Sequence, residues 1–429
     1  MNKFIIITLG CKVNQCESEL LAESLKASGW SCCEQGADLC IVNTCTVTQK
    51  ASMQSRQIIR QIIRANPGAR VIVTGCYAQI ESYLGADEIR KIQGVSEVIL
   101  RDFNKGSEFE IQNSKLLSAL GISLPLSRIP DTAFRTRPFL KIQDGCNAFC
   151  TYCIVPHTRG RSRSMPPETV LEHIRRLGAA GFCEVVLSGI HLGCYGLDLV
   201  PPVNLATLLH RICETKTVKR LRLSSVEPNE LNEEIISLTA ASDLICKHFH
   251  IPLQSGDDRI LERMHRPYTA GFFRELVMKI HERIPDAAVG VDTLIGFPGE
   301  NEAAFRNTYR LIEQLPVSYL HVFPFSPRKG TPAFTYPDKI PSKIITARCR
   351  DMRELGKIKR QEFYKKFIGK SLEVLVESRR DKSTGLLKGI SSNYIPVLLT
   401  GKDDLKNRLV TVRIEEINGR NTVFGSLED

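Results

Sequence analysis

The sequence lacks long hydrophobic runs. No apolar segment of its 429 residues approaches the ~20 residues that a membrane-spanning helix needs. The longest runs, Phe4–Leu9 and Glu184–Ile190, have the length of β-strands. The apolar segment that follows Met1 is also too short for a signal peptide. We therefore expect a soluble, cytoplasmic protein without membrane association.

Low-complexity tracts and short internal repeats are lacking as well. With 42% hydrophobic and 24% charged residues, the composition excludes collagen, a coiled coil and a largely disordered chain. At roughly 100–200 residues per domain, the length predicts two to four domains.

Acidic side chains are too few to balance the basic ones. The chain has 58 Lys and Arg against 47 Asp and Glu, a net charge of +11. This excess suggests an anionic partner, with nucleic acid as the first candidate. A merely basic enzyme would explain the charge equally well.

Cysteine, in contrast, is abundant. Fifteen cysteines in a chain without a secretion signal do not indicate a disulfide framework, because the cytosol keeps thiols reduced. Some of these thiols are therefore expected to bind metal, and the others to be small core residues.

Residues 1–104 alternate strand and helix patterns. Apolar runs at Phe4–Leu9, Asp38–Asn43 and Arg70–Thr74 are separated by segments of helical periodicity. This alternation predicts a parallel sheet covered by helices.

Each of these three strands ends beside a cysteine, namely Cys11, Cys45 and Cys76. Ligands bind beyond the carboxyl ends of parallel strands, so the three thiols are expected to meet at one sheet edge. Gly10 and Gly75 would permit close backbone approach there. The pattern favours a shared metal site over the alternative, three unrelated core cysteines.

Residues 105–131 have the composition of a linker with some helix. Strand–helix alternation then resumes over residues 132–365. The predicted strands are Phe139–Gln143, Glu184–Ser188, Arg220–Ser224, His248–Pro252, Ala288–Ile295 and Tyr319–Pro324. Six such units predict a partial (βα)6 barrel, smaller than the eight-unit form.

The C-terminal part of the chain changes character. Pro337–Lys370 contains 11 Lys and Arg against 4 Asp and Glu, which suits an RNA backbone, although a solvated amphipathic helix is the plain alternative. Residues 366–429 contain five short alternating runs, which predict a small all-β barrel of the OB type.

The most specific pattern is Cys146-x3-Cys150-x2-Cys153, directly after the first predicted barrel strand. Three closely spaced thiolates can bind three irons of a [4Fe–4S] cluster and leave the fourth iron for a small molecule. Zinc would require a fourth ligand nearby. His157 is a candidate, but Pro156 makes its approach awkward, so the spacing favours iron–sulfur.

These residues carry a resemblance. The loop Cys146–Pro156 resembles the cluster loop of radical S-adenosylmethionine (SAM) enzymes. Together with Thr8–Gln15, Asn43–Cys45 and Gly75–Gln79, it is similar to methylthiotransferases, and the likeness spans nearly the whole chain. Supporting stretches are Arg159–Ser164, Ser188–Gly193, Ser224–Pro228, Ile251–Gly256 and Gly296–Glu300.

The resemblance implies two [4Fe–4S] clusters and two SAM molecules per turnover. One cluster, held by Cys146, Cys150 and Cys153, would bind and reductively cleave SAM, and the resulting radical would activate an inert carbon–hydrogen bond. The second cluster would supply the sulfur, and a second SAM the methyl group. The ligands implied for this second cluster are Cys11, Cys45 and Cys76.

Within the family, Lys12-Val13-Asn14 resembles the branch that modifies N6-threonylcarbamoyladenosine at position 37, next to the tRNA anticodon. The implied partners are the anticodon stem-loop, bound through a C-terminal TRAM domain at 366–429, and an electron donor such as flavodoxin or ferredoxin. Alternatives are isopentenyladenosine or a ribosomal-protein aspartate as substrate. Rivals of another class are a non-catalytic iron–sulfur or a zinc-stabilised RNA-binding protein.

The remaining candidates carry weaker signals. Glu227 and Gln254 end strands, and their contact with SAM competes with simple loop capping. Cys16 lies one helical turn past Cys11, and Cys194 lies in the loop on the SAM side. The sequence assigns no role to either thiol. The other cysteines lack metal-ligand spacing and are predicted to be core or surface thiols.

Overall fold

The computed structural model describes residues 2–101, 114–122, 135–419 and 421–428. Most of the predicted linker at 105–131 lies outside these described residues. The described chain forms a parallel α/β sheet, a six-stranded barrel segment and a closed β-barrel. The predicted fold class is confirmed. Within the described residues, no helix is long and apolar enough to cross a membrane.

The N-terminal sheet is parallel throughout, with the strand order β2-β1-β3-β4-β5. All residues of the central strand β3 are buried, as expected for a sheet covered on both faces. The three predicted strands are present, and two short edge strands extend the sheet. The strands are β1 (Lys3–Thr8), β2 (Ser31–Cys32), β3 (Leu39–Thr44), β4 (Arg70–Gly75) and β5 (Glu97–Val98).

Three helices follow β1, β3 and β4: α1 (Lys12–Ala27), α2 (Gln49–Ala65) and α3 (Cys76–Tyr83). Cys11, in extended conformation, is the N-cap residue of α1 and makes no side-chain capping hydrogen bond. The side chain of Thr48 caps α2 by accepting a hydrogen bond from the Ala51 amide.

A short helix, α4 (Ser114–Ala119), lies within the predicted linker. Leu116 and Leu117 are buried in one apolar cluster with Phe4, Leu25 and Ile72. Burial of each leucine contributes roughly 1.5–3 kcal/mol. This part of the linker is therefore packed on the N-terminal sheet.

The barrel segment consists of two three-stranded parallel sheets, joined by a bridge between Leu221 and Ile245. The six predicted strands are present, but the first is split at Ile142. Its second half, β7 (Gln143–Asp144), pairs with β8 (Arg163–Ser164) instead. The barrel strands are β6 (Phe139–Lys141), β9 (Glu184–Ser188), β10 (Arg220–Leu223), β11 (His248–Gln254), β12 (Ala288–Ile295) and β13 (Tyr319–Pro324).

Helices cover these strands, and the apolar faces of those with nine or more residues form one continuous core with the sheet. The helices are α5 (Val155–Arg159), α6 (Pro167–Ala179), α7 (Leu205–Thr215), α8 (Glu233–Ala241), α9 (Asp258–Arg263), α10 (Ala270–Arg283), α11 (Glu302–Gln314) and α12 (Ser342–Lys365).

The C-terminal strands close into a barrel of order β14-β15-β16-β18-β17, with β16 and β18 parallel. A five-stranded closed barrel of this kind is typical of OB-like domains. Phe363 and Phe367, at the end of α12, belong to its core. The strands are β14 (Ser371–Val376), β15 (Leu387–Ser391), β16 (Pro396–Leu399), β17 (Leu409–Ile417) and β18 (Val423–Leu427).

Two buried arginines fasten this barrel to strand β10. Arg222 donates hydrogen bonds to the carbonyls of Ser391 and Ser392 at 3.0 and 2.9 Å, and Arg220 donates to the carbonyl of Ile390 at 3.2 Å. Glu184 accepts a hydrogen bond from Arg222 at 2.7 Å, so its carboxylate balances a positive charge that is buried between the barrel and β10.

Candidate functional site

The first group of thiols lies at one edge of the N-terminal sheet. Cys11, Cys45 and Cys76 follow β1, β3 and β4, which are neighbours in the sheet. Burial raises the pKa of Cys45, and the nearby thiols of Cys76 and Cys11 raise it further. The structure thus brings the three predicted strand-end cysteines together.

Two glycines permit this close approach. Gly10 has φ +99°, and a Cβ there would lie 2.8 Å from the Cys45 sulfur. Gly75 has φ +96°, and its Cβ would lie 2.5 Å from the carbonyl oxygen of Thr44. Both positions need the left-handed backbone and the bare Cα of glycine.

Asn14 ties the three loops together. Its Nδ2 donates to the carbonyls of Leu9 at 2.8 Å and Thr44 at 3.1 Å, while its Oδ1 lies 4.0 Å from the sulfur of Cys76. The sequence motif contains Asn14, but sequence reasoning gave it no role. Asn14 lies on the buried face of α1, about one helical turn after Cys11, and this position was the sequence signal that could have revealed its role.

A buried ion network lies behind these thiols. Glu17 accepts from Arg101 at 2.8 Å and from Arg159 at 3.0 Å, and lies 3.6 Å from Lys141. Asp144 accepts from Arg159 at 2.8 Å. Burial opposes ionisation of Glu17, but the three cations bring its pKa down to about 2. The network is thus fully ionised at neutral pH.

The network also acts on the thiol of Cys76. Burial alone would raise the pKa of Cys76, but the charges of Arg159 and Arg101 outweigh it and lower the pKa. Arg101 Nη1 lies 3.4 Å from the sulfur. Thiolate is the form that binds metal, so the network favours ligation.

The second group of thiols lies on the loop between β7 and α5. Cys153 is close to both Cys150 and Cys146, whose charges raise its pKa in addition to the effect of burial. Gly145 starts this loop with φ +73°, and a Cβ there would lie 1.9 Å from the carbonyl oxygen of Arg161. The amide of Cys146 donates to Gly160 at 3.1 Å, which closes the loop.

Polar side chains surround these thiols. His191 Nδ1 lies 3.3 Å from the sulfur of Cys146, and Arg266 donates to the sulfur of Cys150 at 3.4 Å. Arg266 also forms an ion pair with Glu227. Glu227, predicted from the sequence, is thus linked to the cysteine loop through an arginine that sequence reasoning missed.

The described residues contain two compact groups of possible ligands for a single metal ion. Zinc–sulfur bonds of about 2.3 Å place tetrahedral zinc ligands about 3.8 Å apart. Among the described residues, groups of three ligand atoms all within 4.8 Å occur at His191–Cys194–Glu230 and His250–Asp292–His321, and neither cysteine trio is one of them. As placed, the thiols of each trio are therefore not all within 4.8 Å of one another.

A cavity of about 210 Å³ opens beside the Cys146–Cys153 loop. Its lining includes Cys153, Gln254 and Asp292. Gln254 has φ +64°, and the register of β11 shifts between Pro252 and Gln254. A non-glycine residue with positive φ is uncommon, and this one lies at the wall of the cavity.

The two thiols without an assigned role lie near the trios, because the charge of Cys11 contributes to the shifted pKa of Cys16. The sulfurs of Cys194 and Cys146 lie 3.6 and 3.3 Å from the same His191 Nδ1. Cys16 is buried and donates to the carbonyl of Phe139 at 3.3 Å. Burial raises its pKa well above the usual value, so it is a core thiol. Cys194 donates to Glu230 at 3.1 Å beside His191. The ring of His157 lies 4.7 Å from that of Tyr83.

Comparisons with known proteins agree with this arrangement. The Radical SAM superfamily matches residues 140–312, and Uncharacterized protein family UPF0004 matches residues 3–100. Threonylcarbamoyladenosine tRNA methylthiotransferase MtaB of Bacillus subtilis is 38% identical over 95% of this chain and 92% of its own. MtaB of Aquifex aeolicus is 37% identical over 95% and 98%.

Other relatives of similar identity are named for a different tRNA nucleoside. The tRNA-2-methylthio-N(6)-dimethylallyladenosine synthase of Moorella thermoacetica is 33% identical over 96% of this chain and 95% of its own. Among solved structures, the radical SAM methyltransferase TsrM of Kitasatospora setae has a TM-score of 0.52 at 17% identity, covering 78% of this chain and 77% of that one. This last likeness shows a shared fold. On the sequence identity to its relatives and their coverage, the chain belongs to the radical SAM methylthiotransferase family.

Proposed function

We propose that the protein adds a methylthio group to C2 of N6-threonylcarbamoyladenosine at position 37 of tRNA. The observation that carries this proposal is the identity of 35–38% to MtaB enzymes from four organisms, over 92–96% of this chain. Three dimethylallyladenosine synthases follow at 32–34%, so the threonylcarbamoyl branch is favoured.

The proposal includes two [4Fe–4S] clusters, each on one cysteine trio. Support comes from the strand-end and loop positions of the two trios and from the glycines Gly10, Gly75 and Gly145, where any Cβ would collide. When bound, the clusters and SAM supply the one-electron and sulfur chemistry that no side chain can provide. A donor of the flavodoxin or ferredoxin class would supply the electrons.

The protein's own residues position these groups. Cys146, Cys150 and Cys153 would hold the SAM-binding cluster, with Gln254 and Glu227 near the SAM polar groups. Cys11, Cys45 and Cys76 would hold the sulfur-bearing cluster. The Glu17–Asp144 network lies between the trios, because Asp144 accepts from the Gly145 amide at 2.8 Å while Arg101 contacts Cys76.

The RNA contact is assigned to the basic helix α12 and the C-terminal barrel. Lys343, Arg350, Arg353 and Lys357 are exposed on α12, where they can meet phosphates. Arg348 instead pairs with buried Glu300 at 3.0 Å. Part of the basic run is therefore structural. The exposed part, in which Arg350 and Lys357 form surface ion pairs at 3.1 and 2.8 Å, can contact nucleic acid.

Mass spectrometry of tRNA nucleosides tests the proposal. Cells that lose the gene are expected to lose 2-methylthio-N6-threonylcarbamoyladenosine and to accumulate its unthiolated precursor. Re-expression of the wild-type chain restores the product, and a Cys146→Ala chain does not. An unchanged profile would reject the tRNA assignment, whereas loss of the methylthio-dimethylallyl nucleoside would transfer it to the other branch.

A further inference from the structure

A second cavity, of about 360 Å³, adjoins the first and has no assigned occupant. We call it the Lys12 cavity; its polar lining includes Lys12, Ser224, His248, His250, His321 and Tyr394. Asp292, which lines the first cavity, lies 2.7 Å from His250 Nε2 and 3.1 Å from His321 Nδ1. This hydrogen-bonded wall separates the two cavities.

Two buried polar atoms of the Lys12 cavity have no partner. Ser224 is 7% exposed and His248 is 5% exposed, and within the described residues neither Ser224 Oγ nor His248 Nδ1 has a hydrogen-bond partner. His248 is held from its other side, where Nε2 lies 2.8 Å from the hydroxyl of Tyr319. Because such atoms are costly when left unsatisfied, the cavity is built for a polar ligand.

The charge of the cavity points to an anion. Lys12 Nζ lies 5.7 Å from the ring centre of Phe139 and, in the part of the chain that the structure describes, its ammonium group has no carboxylate partner within 4.0 Å. The neighbouring cations Arg137 and Arg222 already have carboxylate partners, at 3.1 and 2.7 Å. An anionic group beside Lys12 would complete the site.

We propose that the Lys12 cavity binds the threonylcarbamoyl arm of the substrate nucleoside, with its carboxylate at Lys12 and its hydroxyl or urea groups at Ser224 and His248. This inference rests on the proposed function. The cavity volume lies in the range of roughly 300–1,000 Å³ that is usual for small-ligand sites. Cys11 lines the same cavity, so the arm would lie beside the trio that is proposed to hold the sulfur-bearing cluster. An apolar dimethylallyl arm would leave all three polar groups unpaired.

The test compares two substrates on the unaltered holoenzyme: an anticodon stem-loop with N6-threonylcarbamoyladenosine, and the same stem-loop with its carboxylate converted to the methyl ester. Kd is measured by fluorescence anisotropy. The ester is expected to bind roughly 10- to 100-fold more weakly, the loss typical of a charge-assisted hydrogen bond. Equal Kd values for the two stem-loops would overturn the inference.

Variants then locate the effect. Lys12→Met should bind the carboxylate stem-loop about as weakly as wild type binds the ester, with no further loss for the ester itself. Lys12→Arg should retain discrimination. Lys219→Met, an exposed lysine at the opposite end of β10, is the matched control and should behave as wild type. If Lys12→Met weakened both stem-loops equally, the lysine would be meeting a backbone phosphate, and the inference would be wrong.

Failure of this inference is distinguishable from failure of the proposed function. Wild-type enzyme that methylthiolates carboxylate and ester stem-loops alike would keep the proposed function and reject the role of the Lys12 cavity. Wild-type enzyme that methylthiolates neither would reject the proposed function. Iron content is measured for each variant because Lys12 adjoins Cys11, and the substrate comparison on wild type does not depend on any variant.

Discussion

The buried ion network between the two thiol groups gives the sharpest stability prediction, through the change Glu17→Gln. The side chain of Glu17 is 5% exposed and faces Arg101, Arg159 and Lys141 at 2.8, 3.0 and 3.6 Å. Without its charge, three buried cations share Asp144 alone. Removal of one partner from a buried ionic network costs about 3–5 kcal/mol.

Urea unfolding followed by tryptophan fluorescence measures this cost. The single tryptophan, Trp30, packs against the core of the N-terminal sheet, so its emission reports that region. With a slope of about 2 kcal/mol per molar, the midpoint should fall by roughly 1.5–2.5 M urea. The matched control, Glu97→Gln, breaks the exposed pair with Arg70 and should shift the midpoint by less than about 0.5 M. Equal shifts for both variants, or none for Glu17→Gln, would refute the reasoning.

Three further predictions follow from single positions. Gly145→Ala places a Cβ 1.9 Å from the carbonyl oxygen of Arg161 and should distort the cysteine loop. The variant should therefore bind about half the wild-type iron in a colorimetric assay of reconstituted protein. Full iron loading would contradict this role of Gly145. Burial would raise the pKa of Asp292, but hydrogen bonds from two histidines lower it to about 2. A carboxyl with a lowered pKa stabilises the fold above the unfolded value near 4, and this stabilisation is lost as the pH falls toward 2. Asp292→Asn should therefore cost about 2 kcal/mol at pH 7 and little near pH 2, as urea unfolding of cluster-free protein would show. A cost independent of pH would contradict the ionised pair. Arg222→Met removes hydrogen bonds to the C-terminal barrel and should accelerate tryptic cleavage after α12, whereas an unchanged rate would show that other contacts hold the barrel.

The sequence predicted the framework well because regular elements depend on local periodicity. The six barrel strands were found at positions close to those predicted, and the five strands predicted within residues 366–429 are present. The edge strands β2 and β5 were missed because each has only two residues. The split at Ile142 was also missed, since the pairing of β7 with β8 depends on a return of the chain that apolar patterning does not encode.

The site was predictable only in part. Both cysteine trios were found from their spacing and strand-end positions, and their role as cluster ligands stays a proposal. The pairing of Glu17 with Arg101 and Arg159 joins residues up to 142 positions apart, so no local pattern reveals it. Polar residues on the buried face of α1, such as Asn14 and Glu17 beside Val13 and Leu21, were the available sign that this helix faces a polar partner.

The central claim is that two separate cysteine trios each bind a four-iron cluster, and iron quantification after anaerobic reconstitution tests it most directly. Wild type should bind about eight irons per chain. Triple alanine replacement in either trio should leave about four, and replacement in both should leave none. The trios are Cys11, Cys45 and Cys76, and Cys146, Cys150 and Cys153. Wild type that binds about four irons, with one trio replaceable at no loss, would contradict the account.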